Sequence, residues 1–226
     1  MFAAAFIRYG GEYMRIEYFG HSCFRFTEDC KSFLTDPFTR IGYELPRVSA
    51  GFVTVSHGHF DHNYLAGVSG MPKVIDRAGE FAAGGVKITG IDCAHDDKAG
   101  ALRGGNIAFT YDFGGFTVCH LGDLGETFSE ERASRFGHPD VLLIPVGGTY
   151  TIDAREAVRY IQAIGPKVVI PMHYRTERCT LDIAPLSDFI GAFGKERVCG
   201  PEAFFDSGHI ENYMKKALVL EVCGSE

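Results

Sequence analysis

The sequence lacks the features that would place the protein in a membrane, on nucleic acid or among disulfide-rich proteins. No apolar run approaches the roughly 20 residues of a membrane-spanning helix, and the apolar start is too short for an export signal. The net charge of -7 argues against stable binding to a nucleic-acid backbone. The cysteines number seven and form no C-x-x-C pair, which favours free thiols in a reducing cytoplasm.

No linker or low-complexity stretch divides the 226 residues, and this length fits one domain. Residues 1–13 are interpreted as an N-terminal arm or a mis-assigned start, and residues 14–226 as a single domain. The apolar fraction of 46% and the charged fraction of 23% are typical of a soluble globular protein. We therefore expect a cytoplasmic protein without a membrane partner, and self-association into a homo-oligomer stays open.

Short apolar segments rich in β-branched and aromatic residues recur between glycine and aspartate turns, which predicts strands. The predicted strands are Arg15–Phe19, Cys23–Phe26, Ser32–Thr35, Phe52–Ser56, Val86–Ile91, Asn106–Tyr111, Phe116–His120, Val141–Pro145, Val168–Pro171 and Ala217–Val222. Helices are predicted between an Asp153 cap and Gly165, over Ser129–Phe136 and over Leu186–Phe193. Strands first and α/β alternation later predict an α/β fold with two sheets and outer helices.

The most informative segment follows the apolar strand that ends at Ser56. It reads H-x-H-x-D-H and places His57, His59, Asp61 and His62 within six residues. Such a set directly after an apolar strand rarely arises by chance. Imidazole and carboxylate ligands suit zinc, manganese or iron(II) rather than calcium.

Three further apolar runs end in the same kind of residue, at His95, Asp123 and His173. A lone histidine after a strand is more often a core or surface residue, but the H-x-H-x-D-H segment makes a shared site the better interpretation. Strand ends hold ligands rigidly at loops that are open to substrate. Seven ligands are predicted: His57, His59, Asp61, His62, His95, Asp123 and His173. They give each of two metals three terminal ligands if Asp123 bridges both.

The residues expected around the ligands allow more than one interpretation. The candidates for contacts to ligands or substrate are His21, Asp36, Asp97, His120, Tyr150 and Tyr174. Asp36 or Asp97 is expected to accept a hydrogen bond from a ligand histidine. The two histidines either donate to substrate or are hydrogen-bonded structural residues, and the two tyrosines either line the mouth or belong to the core. Arg40, Arg175 and Arg178 are candidates for an anion or are surface residues, and His138 and His209 are predicted to be surface residues.

The H-x-H-x-D-H motif, the later His95, the Gly-Asp123 step and the late His173 resemble the metallo-β-lactamase superfamily in their usual order. Further segments resemble the bacterial branch that includes ascorbate-6-phosphate lactonase. These segments are Tyr18-Phe-Gly-His21, Asp36-Pro-Phe38, Arg103-Gly-Gly-Asn106, His120-Leu-Gly-Asp-Leu-Gly125, Pro145-Val-Gly-Gly148 and Pro171-Met-His-Tyr174. The resemblance runs from about Met14 to beyond Thr176 and implies a four-layered αββα sandwich, the metallo-β-lactamase fold, with the metals along one sheet edge.

The same resemblance implies a division of the ligands between two metals. His57, His59 and His95 go to the first metal, Asp61, His62 and His173 to the second, and Asp123 bridges them. The sequence departs from the family in three places. Asp123 stands where class B β-lactamases use a cysteine, which argues against antibiotic hydrolysis. Glu126 stands where close relatives carry a histidine, and Gly51 where they often carry an acidic residue.

The expected function is that of a binuclear metal-dependent hydrolase with two divalent cations, zinc first and manganese or iron as alternatives. Two cations sharing a water lower its pKa to about 7, so that a bridging hydroxide can attack at neutral pH. The expected substrate is a small ester, lactone or phosphodiester that can be anionic. Asp61 is the expected catalytic residue, which orients the nucleophile and accepts its proton. Two alternatives stay open, an iron-dependent redox enzyme on the same fold and a vestigial metal-binding module.

Overall fold

The computed structural model describes residues 14–114, 116–194, 197–200, 202–205, 210–214 and 216–223. The predicted N-terminal arm and His209 lie outside these residues. The extent of the single domain therefore stays a prediction. Strands and α-helices are numbered below in chain order.

The first sheet has six strands in the order β15-β1-β2-β3-β5-β7. They are β1 (Met14–Gly20), β2 (Cys23–Glu28), β3 (Lys31–Thr35), β5 (Phe52–Thr54), β7 (Lys73–Ile75) and β15 (Glu202–Phe205). The first three strands form an antiparallel meander, and β5 and β7 continue the sheet in parallel. This parallel step brings the chain after β5 to the sheet edge where the H-x-H-x-D-H segment begins.

The second sheet has eight strands in the order β14-β16-β13-β12-β11-β10-β9-β8. They are β8 (Gly79–Ala83), β9 (Val86–Ala94), β10 (Gly105–Asp112), β11 (Thr117–His120), β12 (Val141–Pro145), β13 (Val168–Met172), β14 (Arg197–Gly200) and β16 (Ala217–Leu220). Strands β8 to β11 pair antiparallel, whereas β11, β12 and β13 pair in parallel. Two short strands, β4 (Val48–Ser49) and β6 (Val68–Ser69), form a separate pair.

The main core fills the space between the two sheets and continues between the second sheet and the helices. Neighbouring residues on a strand face opposite sides of the sheet. Phe33 on β3 packs into this core, whereas the adjacent Leu34 packs into a second cluster on the outer face of the first sheet. Across the sandwich, the rings of Phe26 and Tyr111 meet edge to face at 5.0 Å. The Tyr111 hydroxyl also shares a 2.5 Å hydrogen bond with the Thr54 hydroxyl, which ties the two sheets together near the predicted site.

Helices cover the second sheet. They are α1 (Glu130–Ser134), α2 (Ala154–Ile164) and α3 (Leu186–Phe193), and none of the described helices is long and apolar enough to cross a membrane. The Asp153 carboxylate caps α2 by accepting from two backbone N–H groups, and Gly165 ends the helix at a φ of 66°. The predicted capping box is only half formed, because Glu156 accepts from the Phe128 N–H instead of returning to the cap.

The buried side of α2 packs into the main core through Ala157, Tyr160, Ile161 and Ile164. Two packed sheets with helices outside confirm the predicted α/β sandwich. The outer face of the first sheet is covered differently within the described residues. Its apolar cluster, which includes Leu34 and Val53, packs under the chain between β3 and β5 and the short β4–β6 pair, not under an α-helix.

Candidate metal centre

The seven predicted ligands lie together where β5, β9, β11 and β13 end. Ligand atoms of His57, His59 and His95 lie within 4.8 Å of one another, and we call these residues the three-histidine group. Ligand atoms of Asp61, His62, His173 and His21 lie equally close together, and we call these residues the Asp61 group. These two groups contain the histidines that the resemblance assigns to each metal, with His21 in addition, and a third set of neighbouring ligand atoms, from His57, His62 and Asp123, connects the two groups.

Asp123 lies between the two groups. Its Oδ2 atom is 3.2 Å from Nε2 of His62, 3.2 Å from Nε2 of His173 and 3.3 Å from Nε2 of His95. The Nε2 atom of His57 is 3.9 Å away. One carboxylate oxygen therefore faces imidazoles of both groups, which is the geometry that a bridging role requires.

Several atoms at this point are buried without a hydrogen-bond partner. They are Nε2 of His57, His62 and His173 and Oδ1 of Asp123. Leaving such an atom unsatisfied costs about 1–3 kcal/mol each. A divalent cation accepts electron pairs from imidazole nitrogen and carboxylate oxygen alike. The donor set therefore fits metal ions, and the unsatisfied atoms converge where such ions would bind.

A buried carboxylate orients one histidine of each group. Asp36 accepts from Ser56 N–H at 2.8 Å and Ser56 Oγ–H at 2.7 Å, and its Oδ2 lies 2.9 Å from His62 Nδ1. Ser56 Oγ in turn lies 3.0 Å from His57 Nδ1. These bonds fix the rings so that Nε2 of both histidines points toward Asp123. Asp36 thus contacts a ligand histidine, as the sequence analysis suggested. The role of Ser56 was not predicted from the sequence.

Asn106 holds the backbone of Asp123. Its side-chain oxygen accepts from the Asp123 N–H at 2.8 Å, and its NH₂ donates to the Leu121 carbonyl at 2.9 Å. Gly122 makes this approach feasible, because a Cβ there would lie 2.4 Å from the Asn106 side-chain oxygen, and its φ is 54°. The Gly-Asp step is therefore a packing requirement of the site and not only a turn.

Electrostatics among the protein atoms concentrate charge on His62 and Asp123. Burial alone lowers the pKa of His62, but the Asp123 and Asp36 carboxylates raise it well above its ordinary value. Burial raises the pKa of Asp123, but His173 and His62 lower it well below its ordinary value. Burial lowers the pKa of His57 to about 3, with the neighbouring His62 adding to the effect. His57 is thus neutral at pH 7 and ready to act as a ligand.

His21 lies deeper in the site than its outer assignment suggested. Its Nε2 atom is 3.2 Å from Asp61 Oδ2, and its ring centroid is 4.2 Å from that of His173. Burial, followed by the charge on His173, lowers the pKa of His21 to about 4. The neutral ring can therefore donate one N–H to the Asp61 carboxylate, which fixes the direction of that carboxylate.

His120 takes the structural one of its two predicted roles, and Asp97 does not take the role suggested for it. His120 is buried, with Nε2 bonded to the Ser22 carbonyl at 2.9 Å and Nδ1 bonded to the Gly122 N–H at 3.2 Å. Both nitrogens are used, so His120 is a structural histidine and does not meet substrate. Asp97 is exposed and pairs with the Lys98 ammonium at 3.0 Å, so it orients no ligand.

The two candidate tyrosines lie in different environments. Tyr174 is buried in the main core with its ring 6.4 Å from that of Tyr18, so it does not line the mouth. Tyr150 is half-buried near the rim, and the Arg103 guanidinium lies over its ring at 5.6 Å.

Glu126 stands where the resemblance implies a histidine, and it has a structural role here. Its carboxylate accepts from the Ala94 N–H at 3.0 Å and pairs with Arg135. It therefore anchors the end of β9, directly before His95. His138 is exposed, as predicted, with Nδ1 bonded to the Ile164 carbonyl.

Asp36→Asn is expected to weaken metal binding by about 10–100-fold, the usual effect of losing an outer partner of a ligand histidine. The variant keeps the side-chain shape but removes the charge that faces His62 and Ser56. Asp97→Asn is the matched control, since it changes the same side chain at the exposed position. Competition with a coloured chelator measures both affinities. Equal affinities in the two variants would contradict the orienting role of Asp36.

Comparison with known proteins gives a consistent family. The model of a β-lactamase superfamily domain matches residues 15–173. UPF0173 metal-dependent hydrolases of Methanoregula boonei and Methanospirillum hungatei are 33% and 34% identical, and each alignment covers 72% of this chain. The alignments cover 83% and 84% of those proteins. A Thermotoga maritima structure, described as a zinc-dependent hydrolase of the metallo-β-lactamase superfamily, is 37% identical with a TM-score of 0.72, covering 92% of this chain and 98% of that chain.

Proposed function

The chain belongs to the metallo-β-lactamase superfamily, and on that premise we propose that it is a hydrolase that holds two divalent cations. The three-histidine group would hold one cation and the Asp61 group the other. The observation that carries the proposal is the position of Asp123, whose Oδ2 lies 3.2–3.3 Å from ligand nitrogens of both groups. The names of its relatives as metal-dependent hydrolases support the reaction class.

Zinc is the first choice of metal for this donor set, with manganese or iron(II) next. The three-histidine group offers imidazole nitrogen, the Asp61 group offers imidazole nitrogen and a carboxylate oxygen, and no described cysteine belongs to either. When bound, a pair of divalent cations supplies a water acidified to a pKa of about 7 and an electrophile for a carbonyl or phosphoryl oxygen.

Asp61 is the residue we assign to the nucleophilic water. Burial raises its pKa, but the hydrogen bond from His21 and the charge on His62 lower it below its ordinary value, so the carboxylate is ionised. Its side chain is 13% exposed, whereas that of Asp123 is 2% exposed. Of the two carboxylates, Asp61 is therefore the one that a water entering from solvent can reach. It orients that water and receives its proton.

The substrate we propose is a small ester, lactone or phosphodiester. To test this, initial rates would be measured on a chromogenic phosphodiester and on sugar and homoserine lactones, with enzyme reconstituted separately with zinc and manganese. His57→Ala is the blank, and His138→Ala is the control for a histidine outside the site. Hydrolysis that the blank loses and the control keeps is the expected result. The substrate that is hydrolysed fastest then indicates whether the enzyme is of the lactonase or the phosphodiesterase type.

The same protein preparation tests the alternative of an iron-dependent redox enzyme. Protein as purified would be assayed for metal content and colour before reconstitution. Iron near stoichiometry, oxygen consumption and no hydrolysis of any panel member would contradict the hydrolase proposal. A vestigial site would instead show no activity that depends on His57.

Metal binding is expected to release a proton from His62 and to weaken as the pH falls. The pKa of His62 is raised in the protein, so the ring is protonated at neutral pH, whereas a ligand nitrogen must be unprotonated. Below that pKa, affinity should therefore fall by about tenfold per pH unit for one displaced proton. Calorimetry in two buffers with different ionisation enthalpies counts the protons. Binding that releases none, with affinity constant from about pH 6 to about pH 8, would contradict this assignment.

A further inference from the structure

The loop between β9 and β10 is folded around a single carboxylate. Asp96, directly after His95, accepts hydrogen bonds of 2.7–2.9 Å from the backbone N–H groups of Lys98, Gly100, Leu102 and Arg103. A carboxylate that accepts several backbone N–H bonds fixes the conformation of a short loop. The backbone of Arg103 is consequently held in one position.

The side chain of Arg103 is held as well. One guanidinium nitrogen donates to the Thr149 carbonyl at 3.0 Å, and the guanidinium lies over the Tyr150 ring at 5.6 Å. Other arginines of the described chain pair with carboxylates, namely Arg15, Arg25, Arg132, Arg135 and Arg159. Arg103 forms no such ion pair within the residues that the structure describes. A guanidinium has five N–H donors, so most of its donors are left for another acceptor.

This fixed charge lies between the loop that begins at His95, after β9, and the loop after β12, which packs on His173. The Gly104 carbonyl, next to Arg103, accepts from the His95 N–H at 3.1 Å. On the other side, Thr149 lies two residues after Gly147, whose backbone packs so closely on His173 that a Cβ would lie 2.2 Å from the His173 carbonyl oxygen. In the sheet, β11 lies between β10 and β12. The bond from Arg103 to Thr149 therefore spans the strand that leads to Asp123.

We propose that Arg103, held on Tyr150, binds a carboxylate or phosphate group of the substrate at a distance from the bond that is cleaved. The inference rests on the proposed hydrolase function and adds an anionic substrate class to it. The guanidinium fork matches the oxygens of both anions. It is a fixed positive charge with no ion pair in the described part of the chain, on a protein of net charge -7, so it offers an anion local attraction that the overall surface does not. Arg40, Arg175 and Arg178 remain predictions for the same role.

Arg103→Gln tests this binding, with Arg77→Gln as the matched control. Arg77 also stacks on an aromatic ring, that of Phe81 at 5.1 Å, and forms no ion pair within the described residues. Calorimetric titration of the metal-loaded protein with inorganic phosphate measures binding without any turnover. We expect Arg103→Gln to weaken phosphate binding by about 10–100-fold, the loss of one charge-assisted contact, and Arg77→Gln to stay within about twofold of the unmodified protein. Equal phosphate affinity in both variants would overturn the proposal.

A pair of aryl esters provides a second test of the proposal. Para-nitrophenyl hexanoate is neutral, and mono-para-nitrophenyl adipate has the same chain length with a remote carboxylate. Arg103→Gln should raise KM for the adipate by about tenfold and leave the hexanoate within about twofold. An equal change for both esters would overturn the inference while leaving the hydrolase proposal intact. If neither ester is cleaved, the proposed reaction on this panel fails, and the phosphate titration still decides the role of Arg103.

Discussion

Asp123→Ala is expected to lose bound metal and hydrolysis together. Its Oδ2 faces His62 and His173 of one group and His95 of the other, so both proposed sites lose a ligand with one substitution. We expect bound metal to fall from about two ions per chain to below one, and kcat/KM to fall by more than about 10²-fold, since loss of an outer partner alone costs 10–100-fold. Emission spectrometry after gel filtration gives the metal content, and initial rates give the activity.

His138→Ala is the control for Asp123→Ala. Its imidazole is exposed and bonds only to a backbone carbonyl at the far end of α2, so metal content and activity should stay unchanged. Because Asp123 is buried among histidines, the variant must also be shown to be folded, for which near-ultraviolet circular dichroism suffices. A folded Asp123→Ala variant with full metal occupancy would contradict a position shared between the two groups.

The elements that the sequence predicts well are buried strands and capped helices. The predicted β12, Val141–Pro145, and the predicted α3, Leu186–Phe193, have the observed bounds. The helix ends for a local reason, because Gly194 follows it at a φ of 61°. Where hydrophobic pattern and end signals agree, sequence alone is sufficient.

The strands that the sequence did not reveal depend on their neighbours. Gly79–Ala83 contains a glycine, an acidic residue and two alanines, a composition that does not favour a strand. It is held by antiparallel pairing with β9, as β15 is held by pairing with β1. The partner of β8 follows directly after Gly84 and Gly85, whereas the partner of β15 lies at the other end of the described chain. In both cases the pairing, and not the composition of the strand itself, accounts for the extended structure.

The metal-competent residues were predictable because H-x-H-x-D-H after an apolar strand is specific. Of the residues that orient them, Asp36 was among the candidates, whereas Ser56 and Asn106 were not. Ser56 and Asn106 act through register, since the Ile107 N–H donates to the Ser56 carbonyl and brings β10 beside the chain after β5. His21 and His173 both adopt a φ above 50°, which non-glycine residues rarely do. Only the assembled sheets hold them there, so neither side-chain direction can be inferred from spacing.

Asp61→Asn is expected to lower kcat by about 10²–10⁴-fold, the usual contribution of a group that accepts a proton in the transition state. An amide keeps the size of the side chain but accepts no proton at neutral pH. The three-histidine group does not contain Asp61, so its cation should be retained. Metal content and the pH profile of kcat are measured together. A variant with unchanged kcat would contradict the assignment of Asp61 to the nucleophilic water.

His21→Gln shows whether the Asp61 carboxylate acts as we infer. His21 contacts Asp61 Oδ2 at 3.2 Å, and its role as a positioning residue operates through that oxygen. Alone, His21→Gln should lower kcat by about tenfold, whereas in the Asp61→Asn background it should cost almost nothing further, since residues that act as a unit are not additive. If the losses in kcat of the two single variants multiply in the double variant, His21 acts independently of Asp61, as a ligand in its own right. The metal content of the His21→Gln variant would then fall as well.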